Sequence, residues 1–175
     1  MTTRLVREDA RIRQAWEVLA QVADPEVPAV SVCDLGIVRD VLIEQGTLRV
    51  VLTPTYSGCP ATEVIERSVI GALEAAGLGP IRASTQRAPA WTTDWISEQG
   101  RAKLRAYGIA PPCTEARTHE QPIRLLGRGK ARDVPACPRC GGANTELVSQ
   151  FGSTACKALH RCASCREPFE YFKPI

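Results

Sequence analysis

The chain reads as an α+β protein in two parts: a small sheet with helices in the order αββαβα, then a compact four-cysteine ribbon. Three observations predict this. Apolar residues recur at helical spacing near the start of the chain. Two runs rich in Val, Ile and Leu flank the dipeptide Gln45-Gly46. Five of the eight cysteines (Cys137, Cys140, Cys156, Cys162, Cys165) fall between Pro135 and Ile175.

Ile12, Trp16, Leu19 and Val22 mark one face of a first helix, which must end before Pro25. Residues 37–44 and 47–53 read as strands. Leu48, Val50 and Leu52 alternate with Thr47, Arg49 and Thr53, and Gln45-Gly46 closes a hairpin. Val64, Ile65, Ser68, Val69, Ala72, Leu73 and Ala76 line a second helix that Gly77 terminates. A weaker strand covers 81–86, and a last helix runs over about 94–107 with Thr93 as its N-cap. The first domain therefore spans 1–108. Residues 109–134, rich in Pro, Gly and Arg and without periodicity, read as a linker, and 135–175 as the ribbon.

Composition narrows the function. With 175 residues, 44% apolar and 23% charged, the chain has the make-up of a folded soluble protein. No apolar run reaches the roughly 18 residues of a membrane span, and the charged N-terminal segment lacks a signal core, so a cytoplasmic location is expected. A net charge of +3 names no anionic partner, and the arginines of the linker lack the interleaved aromatics of a nucleic-acid site. There is no Walker loop, G-x-G-x-x-G, G-x-S-x-G or H-E-x-x-H, and two histidines give little material for a catalytic triad or facial triad. An autonomous hydrolase or oxygenase is disfavoured.

In a reducing compartment the cysteines read as metal ligands before disulfides. CPRC at 137–140 and CASC at 162–165 supply four thiolates, enough to close a tetrahedral shell around Zn²⁺. A two-residue gap lets both sulfurs of a pair face one ion, and Gly141 and Gly142 ease the backbone after the first pair. Rubredoxin-like iron, an iron–sulfur cluster or a pair of disulfides would use the same spacing. Cys156 is a surplus fifth thiol, either a buried apolar residue or an exchange ligand. His160 could replace a thiolate, which two intact pairs make unnecessary.

In the first domain, TPTYSGCPATEV joins the hairpin to the second helix. Pro60 suits the first helical position, which puts Cys59 at the N-cap, where backbone amides favour thiolate. On these grounds a reactive and an inert cysteine are equally expected. Asp24 and Glu26 in ADPEVP fit a hydrophilic turn; the sharper alternative sets one carboxylate beside Cys59 as second ligand or proton acceptor. Cys33 and Cys113 carry no assigned role.

DPEVP at 24–28, DLGIV at 34–38 and PTYSGCP at 54–60 resemble the SufT-type iron–sulfur assembly domain. WTTDWISEQGRAKLRAYGIAPP at 91–112, then CPRCGG, SQFGSTACKA and CREPFEYFK, extend the resemblance to the D-protein family of bacterial phenylacetate degradation, the D component of phenylacetyl-CoA epoxidase. It covers nearly the whole chain outside about 113–134. The resemblance implies a SufT-like domain followed by a zinc ribbon, and a non-catalytic accessory role in a system of di-iron oxygenase and flavin/iron–sulfur reductase. It implies that Cys59 is the functional thiol, with Asp24 and Glu26 nearby, holding iron or a cluster transiently. Zn²⁺ at Cys137, Cys140, Cys162 and Cys165 would be structural. The oxygenase or reductase subunits would be clients, and a symmetry mate in a homodimer could complete the Cys59 site. The alternative is a stoichiometric structural component of the epoxidase.

Overall fold

The computed structural model describes residues 2–55, 61–112 and 134–174, with side chains from residue 10 onward. The chain divides into two compact units, Met1–Tyr107 and Gly108–Pro174. Among the described residues no helix is long and apolar enough to cross a membrane.

The first unit runs α1 (Thr2–Leu19), β1 (Val38–Glu44), β2 (Thr47–Leu52), α2 (Thr62–Ala75), β3 (Ile81–Thr85) and α3 (Glu98–Tyr107). The expected order αββαβα is observed. β1 and β2 pair antiparallel through Gln45 (φ 50) and Gly46 (φ 82), the two left-handed residues that a tight hairpin needs. β3 joins β2 in parallel after the α2 crossover, giving the sheet order β1-β2-β3. α1 packs on β1, α2 on β3, and the two helices on each other, so both cover one face. That face carries Val41, Leu48, Val50 and Leu52, all buried. On α1 the buried residues are Ala15 and Leu19, while Ile12 and Trp16 are half-exposed at the edge of the stripe.

α2 buries Ile65, Val69 and Leu73; Val64 and Ser68, expected on the same face, are exposed. The helix ends as Gly77 predicts. Gly77 (φ 72) donates its amide to Glu74 and Leu78 donates to Leu73, a Schellman closure with Leu78 buried on the last turn. Its start differs from the expectation. The first helical residue is Thr62 and the N-cap position is Ala61, two residues beyond Cys59. Arg11 rivets α1 to both ends of this assembly, donating to the carbonyls of Gly46 at 2.8 Å, Leu78 at 2.6 Å and Pro80 at 3.2 Å.

The last helix is also shorter than expected. Thr93–Trp95 is a separate 3₁₀ turn, and α3 is capped by Ser97, whose Oγ accepts the Gly100 amide at 2.9 Å. Ser97, and not Thr93, occupies the N-cap because its own amide is fixed to the Asp34 carbonyl at 2.9 Å.

Asp34 is the hub of the unit. Its carboxylate is buried and accepts Ser31 N–H and Oγ–H, both at 2.9 Å, Ser97 Oγ–H at 3.3 Å and Lys103 Nζ at 2.6 Å. The loop it begins is pinned further by Trp91 Nε1–H to the Leu35 carbonyl at 2.8 Å. Gly36 (φ +66) lies so close to Trp95 that a Cβ would sit 2.6 Å from its carbonyl oxygen. Arg39 lies 3.4 Å above the Trp95 ring. Residues 31–39 and 91–103 are thus clasped by hydrogen bonds, one ion pair and a glycine-only approach.

The second unit is a four-stranded sheet of β4 (Ile109–Ala110), β5 (Thr145–Ser149), β6 (Lys157–Cys162) and β7 (Pro168–Phe172), in the order β4-β7-β6-β5. β5 and β6 form a hairpin, and β7 adds antiparallel to β6. β4 pairs in parallel with the other side of β7, Ile109 opposite Glu170 and Ala110 opposite Tyr171. Ile109 and Ala110, expected to open the linker, therefore belong to the ribbon sheet, and Gly108 (φ 95) alone separates α3 from β4.

The clasp makes a pH prediction. Burial alone would raise the Asp34 pKa, but the Lys103 ammonium and the Ser31 amide and hydroxyl outweigh it and hold it below the usual value of 3.8. A carboxylate whose folded pKa is depressed stabilises the fold above its unfolded pKa, and that stability is lost as pH falls through the folded value. Chemical denaturation between pH 7 and pH 2 should show an acid limb below about pH 4 that Asp34→Asn flattens, with a loss of about 1–3 kcal/mol at pH 7. An unchanged acid limb in the variant would remove Asp34 from this role.

Candidate metal centre and transfer thiol

The four ribbon cysteines converge. Sγ atoms of Cys137, Cys140, Cys162 and Cys165 all lie within 4.8 Å of one another, with Cys137–Cys165 at 3.7 Å and Cys140–Cys162 at 3.6 Å. Four thiolates at about 2.3 Å from one ion stand about 3.8 Å apart at tetrahedral angles. A disulfide would need about 2.0 Å, so the disulfide alternative fails on distance. A polynuclear cluster spaces its thiolates on separate irons, and a set this tight fits a single ion instead.

Each pair is presented by the same turn. Gly141 donates its amide to the Cys137 carbonyl at 2.9 Å, and Gly141 (φ 74) and Arg166 (φ 65) each stand four residues after the first cysteine of a pair in the left-handed region. Gly142 is tight for a different reason: a Cβ there would come within 3.3 Å of the Cys140 sulfur. In the second turn the amides of Cys165 and Ser164 donate to the Cys162 sulfur and lower that thiol's pKa against the effect of burial. The backbone is therefore arranged to hold sulfur as thiolate, the form that binds metal. Cys137 and Cys162 are buried with Ala110, Phe169 and Tyr171, so β4 and β7 supply the floor of the site.

His160, the alternative ligand, is a core histidine. It is buried, stacked on Phe169 at 5.8 Å and edge-on to Tyr171 at 5.4 Å, and burial lowers its pKa. Cys156 is half-buried with its sulfur 3.0 Å from Thr154 Oγ1 and is not a member of the quartet. The loop before β6 is fastened by buried Lys157, whose Nζ meets Glu170 Oε2 at 2.9 Å while Ser153 donates its amide to Oε1.

In the first unit backbone pairing ties residues 22–24, which lead into the first signature segment, to residues 30–32, which lead into the second. Val32 N–H bonds to the Val22 carbonyl, Asp24 N–H to the Val30 carbonyl, and Ala23 bridges Ser31. Thr53, the residue before the third segment, donates its amide to the carbonyl of Ile37 in the second at 2.8 Å. Asp24 is buried and spends Oδ1 on the amides of Glu26 and Val27, at 2.9 and 2.8 Å, as the hydrophilic-turn reading expects. Glu26 is half-exposed. Cys59 lies outside the described residues, as do Cys113 and His119. Cys33 is a half-buried thiol, pushed up to about 11 by burial and the neighbouring Asp34 charge, which disfavours its thiolate.

Comparison with known proteins decides the family. Residues 12–82 match the model of an iron–sulfur cluster assembly protein, and 120–173 that of the PaaD zinc β ribbon domain. The chain is 44% identical over 165 residues, 94% of each sequence, to the D component of the 1,2-phenylacetyl-CoA epoxidase of Escherichia coli (strain K12).

The chain belongs to the D-protein family of phenylacetyl-CoA epoxidase.

The fold of the first unit is also that of a solved protein. A domain of unknown function from Bacillus anthracis superposes with a TM-score of 0.53 at 24% identity, covering 57% of this chain and 96% of that one. In this member of the D-protein family, residues 83–119 fall between the two family matches, yet they supply Trp91, Ser97 and Lys103 to the Asp34 clasp and β4 to the ribbon. Sequence reading missed Asp34 and Lys103 as a pair because 69 residues separate them. The signal available was the DLG motif itself, a buried acid beside a glycine.

Three substitutions test the ribbon. Cys162→Ser should abolish amide-exchange protection across β5, β6 and β7, because a structural zinc contributes on the order of 10 kcal/mol to folding. Arg166→Gly should be neutral or stabilise by up to about 1 kcal/mol, since it relieves a left-handed residue, whereas Gly141→Ala should cost about as much. Retained protection in Cys162→Ser would show that the quartet is not what folds the sheet.

Proposed function

We propose that the chain is a non-catalytic maturation factor for phenylacetyl-CoA epoxidase, in which Cys59 passes iron or an iron–sulfur cluster to the oxygenase or reductase while a zinc-loaded ribbon recognises the client. The observation that carries this reading is the contrast between the two sulfur sites. The ribbon quartet offers four thiolates to one ion, which leaves no position for water or for an incoming cargo and suits a tightly held structural Zn²⁺. Such a site neither catalyses nor exchanges. Cys59 lies within the stretch matched by the iron–sulfur cluster assembly family, in a segment with one thiol and no second soft ligand, the composition of a weak carrier site.

The chemistry asked of Cys59 is modest. A thiolate holds the cargo through one strong bond, and ligands from the client or a second copy displace it. The N-cap position of α2 is held by Ala61, so activation by capping is not asked of Cys59. Of the two candidate carboxylates, Asp24 is committed to its turn, which makes Glu26 the better choice of second ligand.

A stoichiometric structural role is the second reading, favoured by the naming of the Escherichia coli relative as a subunit. The two readings part on one experiment. In cells producing the whole epoxidase system, Cys59→Ser should accumulate as a folded chain while iron in the purified oxygenase and reductase falls to the level of cells lacking the chain. Full iron loading with Cys59→Ser rejects the transfer role, and equimolar retention of the chain through an active preparation would then establish the structural one.

A further inference from the structure

The helices of the first unit cover one face of its sheet, and the other face is open at the hairpin end. Register there sets Leu42, Arg49 and Arg82 side by side on β1, β2 and β3. Next to this rung the surface sinks into a depression of about 480 Å³ lined by Glu44, Gln45, Thr47, Arg49 and Arg82.

The charges in it do not balance. Arg49 is held in place by Nη1–H to Glu44 Oε1 at 2.7 Å and Nε–H to Ser84 Oγ at 3.0 Å, which leaves its Nη2 without a partner among the described residues. Arg82 is exposed, and its side chain makes no hydrogen bond or ion pair with any described residue. Adjacent strands run about 4.8 Å apart, well inside a Debye length, so the depression sets two guanidinium groups against the single carboxylate of Glu44, which Arg49 already engages. One positive charge is left over, and like charges opposite each other across strands are destabilising unless an anion lies between them. The Thr47 hydroxyl and Gln45 carboxamide add neutral donors on the rim. One arginine is pre-oriented and the other is free to close, and a guanidinium fork matches a carboxylate or phosphate edge.

We propose that this depression is an oxyanion site, in which Arg49 and Arg82 grip a phosphate or carboxylate group. It uses no residue of either sulfur site and stands or falls independently of the transfer role.

The test is a titration of the ¹⁵N-labelled full-length chain at constant ionic strength, following the arginine Nε–H resonances. Sodium phosphate and a triglutamate peptide are the two probes, with sodium chloride as control. Saturable shifts of Arg49 and Arg82 are expected with at least one probe. Arg82→Gln should weaken binding about tenfold, and Glu44→Gln should tighten it several-fold by removing the competing carboxylate. Both side chains are exposed, so the variants should keep the wild-type amide spectrum. Tighter binding of phosphate identifies a phosphorylated small molecule as the source of the anion; tighter binding of triglutamate identifies an acidic protein segment. Failure of both probes to saturate by about 10 mM overturns the proposal, as does saturable binding that Arg82→Gln leaves unchanged.

Discussion

The first unit depends on one buried carboxylate. Asp34 gathers two serines and a lysine from segments more than 60 residues apart and gives its own carbonyl to the cap of α3. Without it, the loop over 31–37 would have no reason to lie against residues 91–103, and the glycine-only contact of Gly36 with Trp95 would have nothing to hold it closed. The same loop accepts the amide of Thr53, the last described anchor before the segment that carries Cys59. The clasp therefore fixes the loop on which the end of β2 is anchored. A buried acid with a partly exposed lysine is worth keeping only where geometry matters, because an apolar pair would pack as well with less desolvation.

Local chemistry was legible in the sequence, and remote pairing was not. Gln45-Gly46 between alternating residues could only be a tight hairpin, and Gly77 after an apolar stripe could only be a helix stop; both signals act over a few residues. The two C-x2-C pairs declared themselves for the same reason, since a knuckle is a local turn. Cap positions were misread at both Cys59 and Thr93. Pro60 is compatible with a helix start but does not compel one, and Ser97 outcompetes Thr93 through a bond to Asp34 that no local pattern announces. β4 was invisible because two residues carry no periodicity, and its partner β7 lies 60 residues on.

In the proposed function the two sulfur environments divide the work between them. In the ribbon, amide donors, a buried floor and tight left-handed turns are all spent on holding four thiolates around one ion. Saturation makes that site stable and chemically silent. Cys59 has the opposite endowment, a lone thiol in a Gly- and Pro-flanked segment after a firmly anchored strand. A carrier must release what it holds, and release is easiest where the protein supplies few ligands. The combination of a silent quartet and a sparse thiol in one chain is what a delivery factor requires.

The most direct test of that division is metal analysis with visible absorption on the full-length chain purified without oxygen, before and after treatment with a chelator. The account predicts one zinc per chain that resists the chelator, and any iron lost readily and absent from Cys59→Ser. Brown protein containing sulfide whose colour survives Cys59→Ser but disappears with Cys137→Ser would contradict it, because the quartet would then be the cluster site.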